Sequence, residues 1–334
     1  MSGILWKVGS HWFAAAPAAR PAGLRILIGA YAFWYLWNRR AMLSSMAHNG
    51  DPKLYRPVGL ARIHRRRLSP PLVRAVMAAT LAANVAFVVG WRHQVTGPVY
   101  SWLFLWLLSY RNSWSMIFHS DNVLVFHLLI LGHAPSADVL SLDARRSGPP
   151  PRFRLNLFGS PALRNRAGDW QYGWPIRLMN AVTVATYFLA GVAKLKGPSG
   201  LGWASGEQLR RQIAVDALRK EMLGKPVTPI VYKLYRQDRL FRILALGSLL
   251  VEAAAPLVLV DRRLARLWAL NAWAMHWGIL ALMNISFRYQ LSGFIYLSFF
   301  DVERLLDAAT GWANRQLAEG ERHAAIAAGG NINH

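Results

Sequence analysis

The stretch LWALNAWAMHWGILALMNISF, residues 267–287, contains no Asp, Glu, Lys or Arg. A helix that crosses roughly 30 Å of hydrocarbon needs about 20 mostly apolar residues, and this run supplies them. Charge-free runs also occupy residues 93–110, 75–91 and 178–193. Residues 243–260 form another, interrupted only by Glu252. Weaker runs lie at 26–38, 122–137 and 289–300. Together they predict an all-α fold, a polytopic transmembrane helix bundle of about eight spans. The short run near 98–110 predicts a tilted or re-entrant piece. Arg25, at the edge of the first run, is placed to snorkel outward. Trp6, Trp12, Trp34, Trp37, Trp91, Trp170, Trp174 and Trp268 fall near the run ends, where amphipathic rings are favoured.

The chain has 334 residues, with 39 Lys and Arg against 16 Asp and Glu, a net charge of +23. A nucleic-acid binder of this charge intersperses basic with polar residues. Here the basic residues come in bursts between long apolar runs, which argues against DNA or RNA as a partner and for membrane lipid. The absence of Cys removes disulfides, thiolate metal sites and a Cys nucleophile. There is no His-Glu-x-x-His spacing, no Walker loop, no glycine-rich dinucleotide fingerprint and no Gly-x-Ser-x-Gly elbow, so no metal is predicted. The first apolar run reads as a retained span, not a cleaved signal.

Loops after the first span (Arg39, Arg40, Lys53, Arg56, Arg62, Arg65, Arg66, Arg67) and between Lys194 and Arg242 are basic. With eight spans they share a side, cytoplasmic by the positive-inside rule, yet the loop over 145–166 falls opposite and is basic as well. Residues 147–174, rich in Pro, Gly and Arg, predict an irregular surface segment. After Trp203 a short surface helix is expected. Ser205 and Gln208 fit a capping box, Glu207/Arg211 and Asp216/Lys220 are i,i+4 pairs, and Leu209, Ile213 and Ala217 form an apolar stripe suited to lying on a membrane surface. Residues 1–20 read as an N-terminal segment, 21–300 as the transmembrane domain, and 301–334 as a helix that decays into a disordered tail.

Ionisable groups inside spans are costly and are functional hypotheses by default. Asp121, Glu252, His119, His127, His133 and His276 lie in or beside apolar runs, and Lys194 ends one. Each also has a plain reading: Lys194 reaching to headgroups, His276 a packing residue between Trp273 and Trp277, Glu252 held near a kink four residues before Pro256. His127 and His133 suggest no partner and read as packing residues.

Four segments in order carry a resemblance. The first is Arg111-Asn112-Ser113-Trp114 with His119-Ser120-Asp121-Asn122 and Ser141-Leu142-Asp143. The second is Tyr187-Phe188-Leu189-Ala190-Gly191-Val192-Ala193-Lys194-Leu195 with Trp203-Ala204-Ser205-Gly206. Val251-Glu252 before Pro256 follows, then Met275-His276 with Gly278, Met283, Ile285 and Phe287. This order resembles the HTTM membrane domain shared with vitamin K-dependent gamma-carboxylases, over about residues 20 to 300. The resemblance implies that Lys194 is the base that starts oxidation of a reduced isoprenoid quinone of vitamin K or menaquinol type, with His119 assisting. His276, Glu252 and Tyr187 would line or support the quinone cavity. It implies carboxylation of glutamate in a peptide, with the quinone leaving as an epoxide, in a bacterial-type stand-alone protein of the plasma membrane. Removal from water favours the neutral amine that a lysine base requires, and a lipid-facing cavity admits an isoprenoid quinone directly. The stretch Gly197-Pro198-Ser199-Gly200 departs from the carboxylases in length. A branch of the family resembles a toxin-maturation component, which leaves a non-enzymatic factor for maturation or export of a secreted peptide as the alternative. A transporter ranks lowest, because no inverted repeat is visible.

Overall fold

A computed structural model describes residues 12–64, 66–145 and 169–305. The described residues are helical, with no strand and one isolated bridge between Ala16 and Asp169. The apolar runs become α1 (Ala19–Trp37), a short α2 (Arg40–Asn49), α3 (Pro70–Val89), α4 (His93–Asn112) and α5 (His119–His133). A four-residue α6 (Leu142–Arg145) follows, then α7 (Trp170–Lys196), α8 (Glu207–Met222), α9 (Ile230–Leu234), α10 (Asp238–Ala253), α11 (Arg262–Met283) and α12 (Arg288–Leu291). Two of these, α3 and α7, are long and apolar enough to cross a membrane. With 15 and 16 residues, α5 and α10 fall short of the length that spans a full hydrocarbon core.

Several boundaries differ from the sequence expectation for identifiable reasons. The run 289–300 is not one helix: α12 stops, Gly293 takes φ 79°, and a 3₁₀ turn (Phe294–Phe299) follows. Residues 98–110 belong to a full 20-residue helix, α4, which carries Pro98 inside it. The basic stretch after α1 is partly helical, because Leu43 and Ala47 of α2 are buried. Trp170 to Trp174 open α7, capped by the Asp169 side chain on the Gln171 amide, and only the residues before 169 of the expected irregular segment lie outside the described residues. Pro256 does not kink a continuing helix. It ends α10 and starts a 3₁₀ turn (Ala255–Leu259), and the Trp268 indole donates to the Val251 carbonyl at 2.8 Å.

Arg25 is a clear correction. It does not snorkel outward but is 0% exposed, with its guanidinium donating to the Ser136 carbonyl (2.6 Å) and the Leu140 carbonyl (2.5 Å) after α5. Backbone carbonyls without helical partners need donors, and a long cation can reach them where water cannot. The α8 cap is also corrected. Gly206 at φ 86° stands at the N-cap, and Ser205 Oγ accepts only the Glu207 amide at 3.3 Å. Both expected ion pairs form, but Ile213 and Ala217 pack on Val231 and Phe241 inside the protein, with Leu209 beside them, so this stripe does not face lipid.

One core runs through the bundle. Leu24, Ile28, Phe87, Phe104, Leu128, Met179 and Trp268 are among its buried members. Small residues set the spacing: a Cβ on Gly29 would meet Val88 at 2.7 Å, and one on Gly97 would meet the Gly132 carbonyl at 2.5 Å. The outer faces stay apolar. Val85 and Val89 on α3, Ile243, Leu246 and Leu250 on α10, and Leu267, Leu270 and Trp277 on α11 are exposed.

Candidate active site

Tyr187, Gly191 and Lys194 follow one another at i, i+4 and i+7, so they share one face of α7. Gly191 is the point of closest approach to α10: a Cβ there would sit 2.7 Å from the Ala253 nitrogen. Its missing side chain lets the backbones touch, and one turn later Lys194 reaches the carboxylate of Glu252, Nζ to Oε2, at 2.5 Å. The side chains are 22% and 9% exposed, respectively. The pair is shielded on the carboxylate side and open on the amine side.

The Trp203-x-x-Gly206 motif packs on the same buried face of α10, nearer its N-terminal end. Trp203 packs with Ala245 and Leu249, and its ring lies 5.1 Å from Lys194 Nζ, within cation–π range. Gly206 serves for two reasons: φ 86° is a left-handed conformation, and a Cβ would meet the Phe241 carbonyl carbon at 2.4 Å. Two glycines from separate motifs therefore let the backbone approach α10, Gly206 at Phe241 and Gly191 beside Glu252.

Two turns inward, the Tyr187 hydroxyl bonds His276 Nε2 at 2.8 Å and the Tyr296 hydroxyl at 2.5 Å. Trp268 stands edge-on to Tyr187, and Phe287 edge-on to His276. His276 Nδ1 and Trp203 Nε1 are buried without a partner among the described residues. A buried polar atom without a partner costs free energy comparable to a lost hydrogen bond, so such atoms call for an explanation.

Four of the five residues singled out from the sequence (Lys194, Glu252, Tyr187 and His276) thus meet at the α7–α10–α11 junction. The His119 side chain lies outside the described atoms, but its backbone opens α5. Because His127 bonds Thr183 (3.1 Å) and Asp138 bonds Tyr172 (2.9 Å), α5 and α7 run antiparallel. That brings the His119 end of α5 toward the Tyr187–Lys194 end of α7. His127 does have partners, since its Nδ1 also meets the Tyr289 hydroxyl at 2.8 Å. His133 Nδ1 bonds the Leu129 carbonyl at 2.8 Å, a local contact within α5. Asp121 belongs to a separate cluster with Arg111 (2.7 Å) and Tyr35 (2.5 Å).

Sequence reading missed Trp203, Trp268 and Tyr296 as parts of the site. The Trp-x-x-Gly motif carried a signal for Trp203, whereas nothing in the spacing of residues 289–300 marked Tyr296. Among the described residues no group of three His, Asp or Glu side chains is placed to hold a metal ion. No family model, no curated protein and no solved structure matches this chain.

Proposed function

We propose that this protein is a membrane-embedded helical enzyme whose Lys194–Glu252 pair moves a proton during oxidation of a reduced isoprenoid quinone, coupled to carboxylation of glutamate in a peptide. The observation that carries the reading is the 2.5 Å contact between Lys194 Nζ and Glu252 Oε2, with the Trp203 ring 5.1 Å from Nζ. The resemblance to the HTTM domain of gamma-carboxylases supports the same roles.

The membrane setting rests on seven helices of 15 to 27 residues that carry the apolar runs, α1, α3, α4, α5, α7, α10 and α11. Their outward apolar stripes cost about 25 cal/mol per Å² in water and nothing comparable in lipid. The run 289–300 folds into short pieces and drops out of the expected eight spans, while α3 and α7 are the two helices long and apolar enough to cross a membrane. A bacterial plasma membrane is the setting that the resemblance implies.

The residues present suit a quinone. Trp203 Nε1–H is an unspent donor for a ring oxygen, His276 Nδ1 is a second polar atom without a partner, and Trp203, Trp268, Phe287 and Tyr296 supply flat apolar faces. A reduced quinone, with dioxygen as oxidant, supplies the strong base that removes a glutamate γ-proton before carbon dioxide adds. The chain's own part is proton handling. At 2.5 Å a proton passes readily between Lys194 and Glu252; with the proton on Oε2, Nζ is neutral and free to accept another from a bound hydroxyl. Tyr187 and Tyr296 hold the imidazole of His276 in one orientation, and Gly191 sets the height of Glu252. The rings of Trp268 and Phe287 shield the Tyr187–His276 end of the site.

Lys194→Ala is expected to abolish both carboxylated glutamate and quinone epoxide in cells that express the protein, as read by mass spectrometry of secreted peptides and extracted quinones, while the protein still inserts. Undiminished products with Lys194→Ala remove the assignment.

A second reading, a non-enzymatic factor for maturation or export of a secreted peptide, is favoured by one observation. Val215, Leu218 and Met222 form an exposed apolar stripe on α8 beside Arg211 and Arg219. On this reading, charge reversal at Arg210 and Arg211 harms function more than loss of Lys194.

A further inference from the structure

The opposite end of α7 holds a second polar site that the reaction above does not use. Counting 1.5 Å per residue, Arg177 lies about 26 Å from Lys194 along the helix axis. A cavity of about 110 Å³ opens there between α1, α7, α11 and the 3₁₀ turns that precede α11 and end at Phe299. Arg20, Arg177, Arg262, Asn180 and Ser298 line it.

Three features of this cavity point to one class of ligand. The first is an excess of cation. Arg20, Arg262, Arg266 and Arg304 all converge on the single carboxylate of Asp301, with Arg266 at 2.7 Å. Arg20 also engages Glu303. Arg177 makes no ion pair among the described residues. Asp261 lines the cavity as well, but its carboxylate already caps α11 through the Leu264 amide at 2.8 Å. The second is the convergence of helix ends. Arg20 lies in the first turn of α1, Gly173 in that of α7 and Arg262 in that of α11, so three positive helix termini meet at one place. The third is independent of charge. Among the described residues, the hydroxyl of Ser298, 3% exposed, has no partner, and neither has the side-chain oxygen of Asn180, 7% exposed. A buried hydroxyl in a cavity lined by guanidinium groups is a donor waiting for an acceptor.

We propose that this cavity binds a phosphate group, held by Arg177, Arg20 and Arg262 and by the Ser298 hydroxyl. Guanidinium groups match phosphate oxygens in a planar fork, and a serine hydroxyl adds a neutral donor. The 26 Å from Lys194 is close to a hydrocarbon thickness, which sets the cavity at headgroup level if α7 crosses the bilayer. The phosphate is then that of an anionic lipid or a free anion with the same chemistry.

The test uses the full chain, purified once in detergent with inorganic phosphate and once in nanodiscs of phosphatidylglycerol or phosphatidylcholine. Phosphate binding is read by calorimetry and retained lipid by native mass spectrometry. The wild type is compared with Arg177→Gln, Ser298→Ala and an Arg210→Gln control on α8. Affinity for phosphate, or selective retention of phosphatidylglycerol, is expected to fall about tenfold in Arg177→Gln, and less in Ser298→Ala, with the control unchanged. Ser298→Ala removes one hydroxyl at almost no volume cost, so it keeps the test valid should Arg177→Gln fold poorly. Binding of phosphate alone identifies a free anion, and selective retention of phosphatidylglycerol alone identifies a lipid headgroup. Either supports the site. Absence of both, or binding that Arg177→Gln and Ser298→Ala leave unchanged, overturns it.

Discussion

Two of the part-buried ion pairs among the described residues, Arg111–Asp121 and Lys194–Glu252, are built differently. Arg111 and Asp121 form a closed set. Tyr35 donates to Asp121 at 2.5 Å, Arg111 donates to the same carboxylate oxygen at 2.7 Å and to the Tyr35 hydroxyl at 2.5 Å, and Phe118 covers the guanidinium. Each of the three side chains bonds the other two, Arg111 Nε alone being buried without a partner among the described residues, and the set joins α1, α4 and α5. Lys194 and Glu252 form an open pair: one contact, one flanking ring, an amine partly accessible, and unpartnered polar atoms nearby at Trp203 and His276. A closed set spends its polar capacity on fixing helices. An open pair keeps capacity for a ligand. On the function proposed above, the difference separates a structural cluster from a site for chemistry, although both looked alike as charges interrupting apolar runs.

The largest expected effect breaks that comparison on its functional side. Lys194→Ala should lower product formation by at least about 10²-fold, the scale of a positioned general base, with a modest change in melting temperature. Arg111→Ala should show the reverse. It leaves the Asp121 carboxylate with the Tyr35 hydroxyl and should cost about 1–3 kcal/mol, measurable by thermal or denaturant unfolding, with activity per folded molecule kept. If both variants lose stability equally and activity equally, the two pairs do not differ in kind.

Gly191→Ala comes next. A Cβ 2.7 Å from the Ala253 nitrogen must push α10 away. Overpacking of this sort costs about 1–3 kcal/mol, and displacement of Glu252 should lower turnover more than stability suggests. Trp203→Leu keeps the packing on Ala245 and Leu249 but removes the ring beside Lys194 and the free indole N–H. A loss of about fivefold in turnover is expected, on the scale of one cation–π contact. Kinetics at matched folded fraction checks both.

The sequence made the helical runs and the polar exceptions legible, because both are local features. Their endings were less legible. The break at Gly293 depends on a positive φ that no spacing announces, and the early end of α10 needed Pro256 read as a terminator, not a kink. Arg25 was misread because nothing local shows the carbonyls of Ser136 and Leu140 waiting above it. For the site, Lys194, Glu252, Tyr187 and His276 could be named one by one as polar groups in apolar surroundings. Their meeting could not, since it depends on the close approach of α7 to α10 that Gly191 permits. Gly191 and Gly206 lay in plain view in the sequence, but their role belongs to the contact they permit. The arginine cavity was invisible for a related reason: its members lie on three helices and each looks like an ordinary basic residue at a helix end.

The most direct test of the central claim is quinone turnover by the purified full chain in nanodiscs, supplied with reduced isoprenoid quinone, dioxygen, bicarbonate and a glutamate-containing peptide. Wild-type protein is predicted to yield quinone epoxide and carboxylated peptide together, and Lys194→Ala, shown to be folded by its melting curve, to yield neither. Product formation by Lys194→Ala at the wild-type rate would contradict the account.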